Sequence, residues 1–280
     1  MASSGFSRLA VDVSAGRHSV ASHLAHGDGV GKATLDAGAH ARYAAIYTPP
    51  YRWRIGMALP PGQRAVDGFP RFGTHLHHPP PPIPADPVIE IAGPVTDTIT
   101  VPVADLATMP RREQRADFHC VAGWSATGLL WEGVAFETLY RTKVEPLLEP
   151  GASITHVVFR GLDGFESIVQ LDDVLAEDVL IADHLDGRPL NSDHGAPVRL
   201  VSPRQYGFIN TKHLCHIAFH TTEPPIPDRW SPLASHPRAR VWEEERHRHL
   251  PGRLVRPVYR SLIGPIRRLS ARGSRSGSLS

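Results

Sequence analysis

Asp117-Phe-His-Cys-Val121, followed by Gly123-Trp-Ser-Ala-Thr-Gly128, is the stretch on which the fold turns. It reads as a short strand closing at Cys120 and a glycine-bounded loop after it. Toward the C-terminus, Trp131-Glu-Gly-Val134 leads into a helix over Phe136–Lys143. Ile154–Arg160 is expected as a strand, Gly161-Leu-Asp-Gly164 as a turn, and Glu166–Leu171 as the returning strand. A helical turn over Leu171–Ala176 follows, then strands at Val179–His184 and Val198–Val201. After a bend at Tyr206-Gly207, the last strand covers Thr211–His220. Toward the N-terminus, Val88–Ile91 and Thr98–Val103 read as strands and Val103–Met109 as a short helix stopped by Pro110. Many short strands with few short helices indicate an α+β fold with a mixed β-sheet core.

The flanks differ from this body. Residues 1–56 are rich in Ala, Gly, His and Ser, show no helical or strand period, and are expected to be a disordered extension; Met57 offers a second translation start. The folded domain is expected over 57–222, opening on a Pro-rich entry that includes Leu59-Pro-Pro-Gly-Gln63 and Phe69-Pro-Arg-Phe-Gly73. Residues 223–280 form a Pro- and Arg-rich extension. Within it, apolar residues at 255, 258, 259, 262, 263, 266 and 269 fall at helical spacing. That helix either docks on its own domain, the favoured reading, or lies on an anionic membrane surface.

Composition removes several classes. With 41% hydrophobic and 21% charged residues the chain is not disordered as a whole. No window holds the roughly 20 apolar residues that a membrane span needs. The net charge of +2 divides unevenly: residues 236–280 hold eleven Arg against three Glu, and the rest sums to −6. A nucleic-acid surface over the whole body is therefore not expected. No basic start with an apolar segment and no twin-arginine pair stands near residue 1, and the chain has only two cysteines, so a cytoplasmic location is expected.

Cys120 sits at the mouth of a loop, where a thiolate could act as nucleophile or soft metal ligand, although a lone cysteine is more often a buried small hydrophobe. Strand alternation turns His119 away from it. The same alternation puts His213, Cys215, Ile217 and Phe219 on one face, so Cys215 is expected in the core. His75, His77 and His78 lie in a Pro-rich coil, while His213, His216 and His220 split across strand faces. Neither set has zinc spacing. The run from His194 to Lys212 is more informative. It combines His194, Arg199 and Lys212 with bends at Gly195 and Gly207, a set suited either to a small phosphorylated anion or to a solvated strand-turn-strand.

Taken together, Phe118-His-Cys-Val-Ala-Gly-Trp-Ser125 with Trp131-Glu-Gly-Val134, Phe159-Arg-Gly-Leu-Asp-Gly164, His194-Gly-Ala-Pro-Val-Arg199 and Tyr206-Gly-Phe-Ile-Asn-Thr-Lys212 resemble the molybdopterin-binding domain of the sulfite oxidase family. The entry motifs resemble a bacterial sulfite oxidase-like subgroup. The resemblance implies that fold and a molybdopterin cofactor. Cys120 would be the metal's thiolate ligand and the catalytic residue. His194, Arg199, Asn210, Thr211 and Lys212 would hold the pterin and its phosphate, covered by Phe69, Arg71 and Phe72. True sulfite oxidases follow the cysteine with a Gly-Asn-Arg type run, whereas Cys120 is followed by Val-Ala-Gly-Trp-Ser. That form is closer to the catalytic subunits of bacterial methionine-sulfoxide reductases. The implied function is oxygen-atom transfer on a small sulfur- or nitrogen-centred substrate, with a separate electron-transfer partner. The alternatives are a cofactor-free cysteine enzyme using Cys120, and a non-enzymatic protein binding anions or membrane surfaces through its Arg-rich tail.

Overall fold

Ten strands in two sheets organise the described residues. The computed structural model describes residues 58–72, 79–225 and 236–277, with side chains through residue 270. The expected extension over 1–56 and the histidines at 75, 77 and 78 lie outside the described residues. The strands are β1 (Val88–Ala92), β2 (Ile99–Pro102), β3 (Arg111–His119), β4 (Ser125–Ala135), β5 (His156–Gly161), β6 (Glu166–Gln170), β7 (Leu180–Leu185), β8 (Arg188–Pro189), β9 (Arg199–Val201) and β10 (Leu214–His220). One sheet has the order β2-β1-β10-β5-β6, and its β1–β10 pair is parallel while its other pairs are antiparallel. The second is antiparallel throughout, ordered β3-β4-β7-β8 with β9 on β7. The α+β class and the mixed sheet are thus present. Helices are few: α1 (Phe136–Leu139), which continues as a π turn over Tyr140–Val144, α2 (Leu171–Val174), α3 (Gly252–Ser261) and α4 (Ile263–Gly277).

The antiparallel sheet is buried on both faces. Val134, Ile181 and Leu200 point into a main core with Ile89, Ile91, Phe159, Ile217 and Phe219 of the mixed sheet. Their strand neighbours Ala135, Leu180, Ala182 and Val201 point the other way. There they meet Trp131, Trp124, Phe118 and Cys120, covered by Phe69 and Phe72 of the N-terminal arm. Burial on both faces explains why Leu180-Ile-Ala182 shows no polar alternation. Each fully buried aliphatic or aromatic side chain contributes about 1.5–3 kcal/mol. The functional candidates therefore collect on the outer face of one sheet, not in the main core.

Three expectations need correction. Gly123–Gly128 is not all loop: β4 begins at Ser125, where it pairs with His119. Cys215 is not core packing. A register shift between Leu214 and His216 interrupts the alternation, so Leu214, Ile217 and Phe219 are buried while Cys215 is partly exposed. The C-terminal helix is broken at Leu262, and Pro265 falls in the first turn of α4, where a missing N–H is tolerated. Its buried positions, Val255, Tyr259 and Ile266, face the protein. Ala239 and Val241, both 0% exposed, belong to the main core. Among the described residues no helix is long and apolar enough to cross a membrane.

Candidate functional site

Cys120 is set by a hairpin. It follows β3 directly, and the turn to β4 is tied by Gly123 N–H to the Cys120 carbonyl (2.9 Å) and Cys120 N–H to the Trp124 carbonyl (2.8 Å). Gly123 has φ +100, and an added Cβ would come within 3.0 Å of the Gly62 carbonyl. Only glycine allows both the turn and the close arm. The thiol is buried and receives the Ala122 N–H at 3.5 Å. Burial pushes it up to about 12, against the opposing pull of Ala122 N–H and Arg246. No histidine hydrogen-bonds this thiol among the described residues.

The arm runs beside that turn as an added strand. Arg64 N–H donates to the Gly123 carbonyl (3.1 Å), Ser125 N–H to the Arg64 carbonyl (2.9 Å) and Val66 N–H to the Ser125 carbonyl (2.9 Å). A buried polar chain underlies it. Gln63 Nε2 donates to the Cys120 carbonyl (3.1 Å), Ser125 Oγ donates to Gln63 Oε1 (3.0 Å), and His119 Nδ1 lies 2.7 Å from Ser125 Oγ. Serine has one O–H to give and it goes to Gln63, so His119 is the Nδ1–H donor. Burial pulls His119 down to about 4 and keeps it neutral.

A cationic group faces the far end of the arm. Arg71 reaches Asp193 at 3.3 Å, and Lys212 Nζ donates to the Asp193 carbonyl at 2.6 Å. Phe69 stacks on His194 with centroids 4.7 Å apart. Arg199, 0% exposed, donates to the carbonyls of His194 (3.0 Å) and Asn210 (3.2 Å). Its guanidinium lies 5.2–5.8 Å from the ring centres of Trp131, Phe118 and Phe69. Burial lowers Arg199 to about 9. Burial, then Arg199 and Arg71, lower Lys212 to about 7, and burial, then Lys212 and Arg199, lower His194 to about 4. Gly195, at φ +106, lets this loop approach Lys212: an added Cβ would lie 2.9 Å from the lysine Cβ. His194 also borders an open pocket of about 490 Å³, shared with Leu185, Asp186, Arg188, Pro189, Leu190 and Asn191.

Most of the sequence candidates meet here. Phe69, Arg71, His194, Arg199 and Lys212 form one group, linked through Phe69 and Phe118 to the apolar cluster holding Cys120. Phe72 packs on Trp124 of the cysteine turn at 5.5 Å. Asn210 and Thr211 have other partners. Asn210 Oδ1 accepts from the Ser202 N–H at 2.7 Å and Asn210 Nδ2 donates to the Ser202 carbonyl at 3.4 Å, and Thr211 Oγ1 lies 2.7 Å from Ser167 Oγ. They brace the backbone that carries Arg199 and Lys212. His213 Nδ1–H donates to the Ala196 carbonyl, 2.6 Å away, within the same loop. Gln63, Asp193 and Arg246 were not singled out from sequence. Gln63 lay within a quoted motif, but Arg246 is one of eleven tail arginines with no local sign of its role.

The donor set fits an anionic cofactor. Four basic side chains crowd a largely buried space with Asp193, Asp163 and Asp186 as the carboxylates that act on them, and burial weakens the hold of the four basic groups on their protons. A buried His194 Nδ1 has no hydrogen-bond partner. Phosphate and sulfur anions satisfy both needs. Cys120 offers a soft ligand with a backbone N–H already aimed at its sulfur.

The chain is similar to several known proteins. The family described as oxidoreductase molybdopterin binding domain matches residues 77–227. The uncharacterized oxidoreductase YuiH of Bacillus subtilis (strain 168) is 31% identical over 192 residues, 67% of this chain and 91% of that protein. The protein-methionine-sulfoxide reductase catalytic subunit MsrP of Gluconobacter oxydans (strain 621H) is 29% identical over 52% of this chain and 50% of its own. The NADPH nitrate reductase of Beauveria bassiana is 29% identical over 54% of this chain and 19% of its own. The chain thus spans half or less of these last two relatives. The crystal structure of the sulfane dehydrogenase SoxCD from Paracoccus pantotrophus aligns at TM-score 0.45 and 18% identity, over 70% of this chain and 64% of that one.

Proposed function

The chain belongs to the oxidoreductase molybdopterin-binding family, and from that premise we propose that it moves an oxygen atom to or from a small sulfur- or nitrogen-centred substrate. The observation that carries the reading is the pairing of one buried cysteine, at a hairpin turn, with a buried cationic group, under one aromatic cover. Bound molybdopterin would supply the two-electron redox chemistry. The chain's part is positional. Cys120 gives up its thiol proton on ligation, and the Ala122 N–H helps hold the resulting sulfur charge. Arg71, Arg199 and Lys212 would neutralise the pterin's anionic groups, and the neutral His194 would help orient them by hydrogen bonding. Phe69, Phe72 and Trp124 exclude water from the space between them.

The substrate follows from what stands beside the cysteine. Val121-Ala-Gly123 offers no arginine for an anion such as sulfite, which favours a neutral oxide. Catalysis then needs a separate electron donor or acceptor. We propose a cytoplasmic location, a reading supported by two cysteines that form no disulfide. A cofactor-free cysteine enzyme is disfavoured by the thiol itself, buried and pushed up to about 12 with no histidine bonded to it.

The test is metal analysis by mass spectrometry, with pterin fluorescence, on protein from a host that loads molybdoenzymes. Stoichiometric molybdenum in the native chain and its loss in Cys120→Ala are expected. Folded native protein with neither metal nor pterin would overturn the proposal. Turnover of sulfoxides, N-oxides and sulfite then ranks the substrates.

A further inference from the structure

Arginines of the C-terminal segment converge on the backbone that presents Cys120. The Arg246 guanidinium, 0% exposed, donates from one Nη to the Val121 carbonyl and from the other to the Pro61 carbonyl at 3.2 Å. It thus joins the residue after Cys120 to the N-terminal arm. Its charge lies 4.9 Å from the Tyr206 ring centre, and its Nε is 3.5 Å from Glu244. Arg256 Nε binds the same Glu244 at 3.1 Å, and Arg260 Nη2 donates to the Gly62 carbonyl at 3.0 Å. The arm fits this clasp closely: an added Cβ at Gly62 would lie 2.5 Å from Arg256 Nε.

A buried guanidinium is costly to desolvate, and here both Nη groups have carbonyl acceptors while Nε has only the nearby charge of Glu244. An apolar side chain would fill the same volume more cheaply. Here the acceptors belong to the two backbone segments that flank the Cys120 thiol. We infer that Arg246 is a positioning residue, the centre of a C-terminal clasp that fixes the 120–123 turn and the arm so that the thiol is presented to bound metal. The inference rests on the reading of Cys120 as the molybdenum ligand. The clasp itself can be measured without metal.

The experiment uses full-length, cofactor-free protein bearing Arg246→Gln, Arg246→Lys or the control Arg240→Gln, whose side chain pairs with Glu245 in the same segment. Amide exchange over residues 58–72 and 120–125 is followed with Cys120 alkylation by iodoacetamide, measured across pH and compared as the rate of the thiolate, so that exposure is separated from the charge of Arg246. Losing two charge-assisted hydrogen bonds is expected to speed alkylation roughly tenfold in Arg246→Gln. The lysine, which keeps the charge without the fork, recovers part of the protection, and Arg240→Gln matches the native chain. In loaded protein, Arg246→Gln shifts the paramagnetic resonance signature of the one-electron-reduced metal. Native rates of exchange and alkylation in folded Arg246→Gln overturn the inference. Should that variant fail to fold, Arg260→Gln takes its place: faster exchange in the arm supports the clasp, and native exchange overturns it. Native protein that stays free of molybdenum would sink the reading of Cys120 instead, and the metal-free measurements tell the two failures apart.

Discussion

Lys212 shows at the residue scale how the site trades stability for anion binding. Its ammonium is enclosed near Arg199 and Arg71, and burial holds its folded pKa near 7 against an ordinary 10.5. The sign follows from linkage. Between pH 7 and 10.5 the unfolded chain binds a proton at this lysine that the folded chain does not, so stability rises with pH across that window and is lost as pH falls through it. Cofactor-free protein should gain about 2 kcal/mol between pH 7 and 9 from this group. Urea midpoints at the two pH values measure it, and Lys212→Met should flatten the difference while releasing the pterin. An unchanged pH difference in Lys212→Met would show that the ammonium is not held out of water. The residue types at 194, 199 and 212 could be read from sequence because each carries an obvious charge in a glycine-punctuated run. Arg246 could not, because its acceptors lie 125 and 185 positions away.

At the scale of elements, the site depends on close approach within the antiparallel sheet. Gly133 sits mid-strand in β4, where an added Cβ would meet the backbone of Ile181 and Ala182 on β7. Gly128, at φ +70, faces open space. Gly133→Ala should therefore cost about 3 kcal/mol through overpacking, and Gly128→Ala about 1 kcal/mol through backbone strain alone. Denaturant midpoints rank the pair, and equal losses would mean that the β4–β7 spacing relaxes freely. These elements were legible to different degrees. Val88–Ala92 and His156–Gly161 follow their apolar pattern closely. The start of β4 does not, because Ser125-Ala-Thr-Gly128 has weak strand character and is extended by pairing with His119 and with the arm at Ala65. Cys215 was misplaced for a related reason. Alternation assumes an unbroken ladder, and one extra residue at a bulge reverses it.

For the molecule as a whole, the two ends of the described chain close over the same sheet face. The sequence divides at 222, where composition changes, yet Ala239 and Val241 sit in the main core and Arg246 spans the cysteine turn and the arm. The tail's charge is used in the same way. Arg238 pairs with Asp173 and Arg248 with Glu223, two carboxylates outside the tail, while Arg240 and Arg256 take the tail's own Glu245 and Glu244, so part of the positive excess is met inside the fold. Composition reports the excess but not its partners. Deleting residues 236–280 should accordingly uncover the Tyr206 ring, strip Ala239 and Val241 from the core, and leave the Val121 and Pro61 carbonyls without their donor. Each large core loss costs a few kcal/mol, and a domain holds only about 5–15 kcal/mol in all. The truncated chain should then lose its cooperative thermal transition, whereas a free appendage would come away with the transition intact. Calorimetry on both chains decides between them: a matching melt would make the tail an appendage, and its arginines would then be free to serve a partner outside the chain.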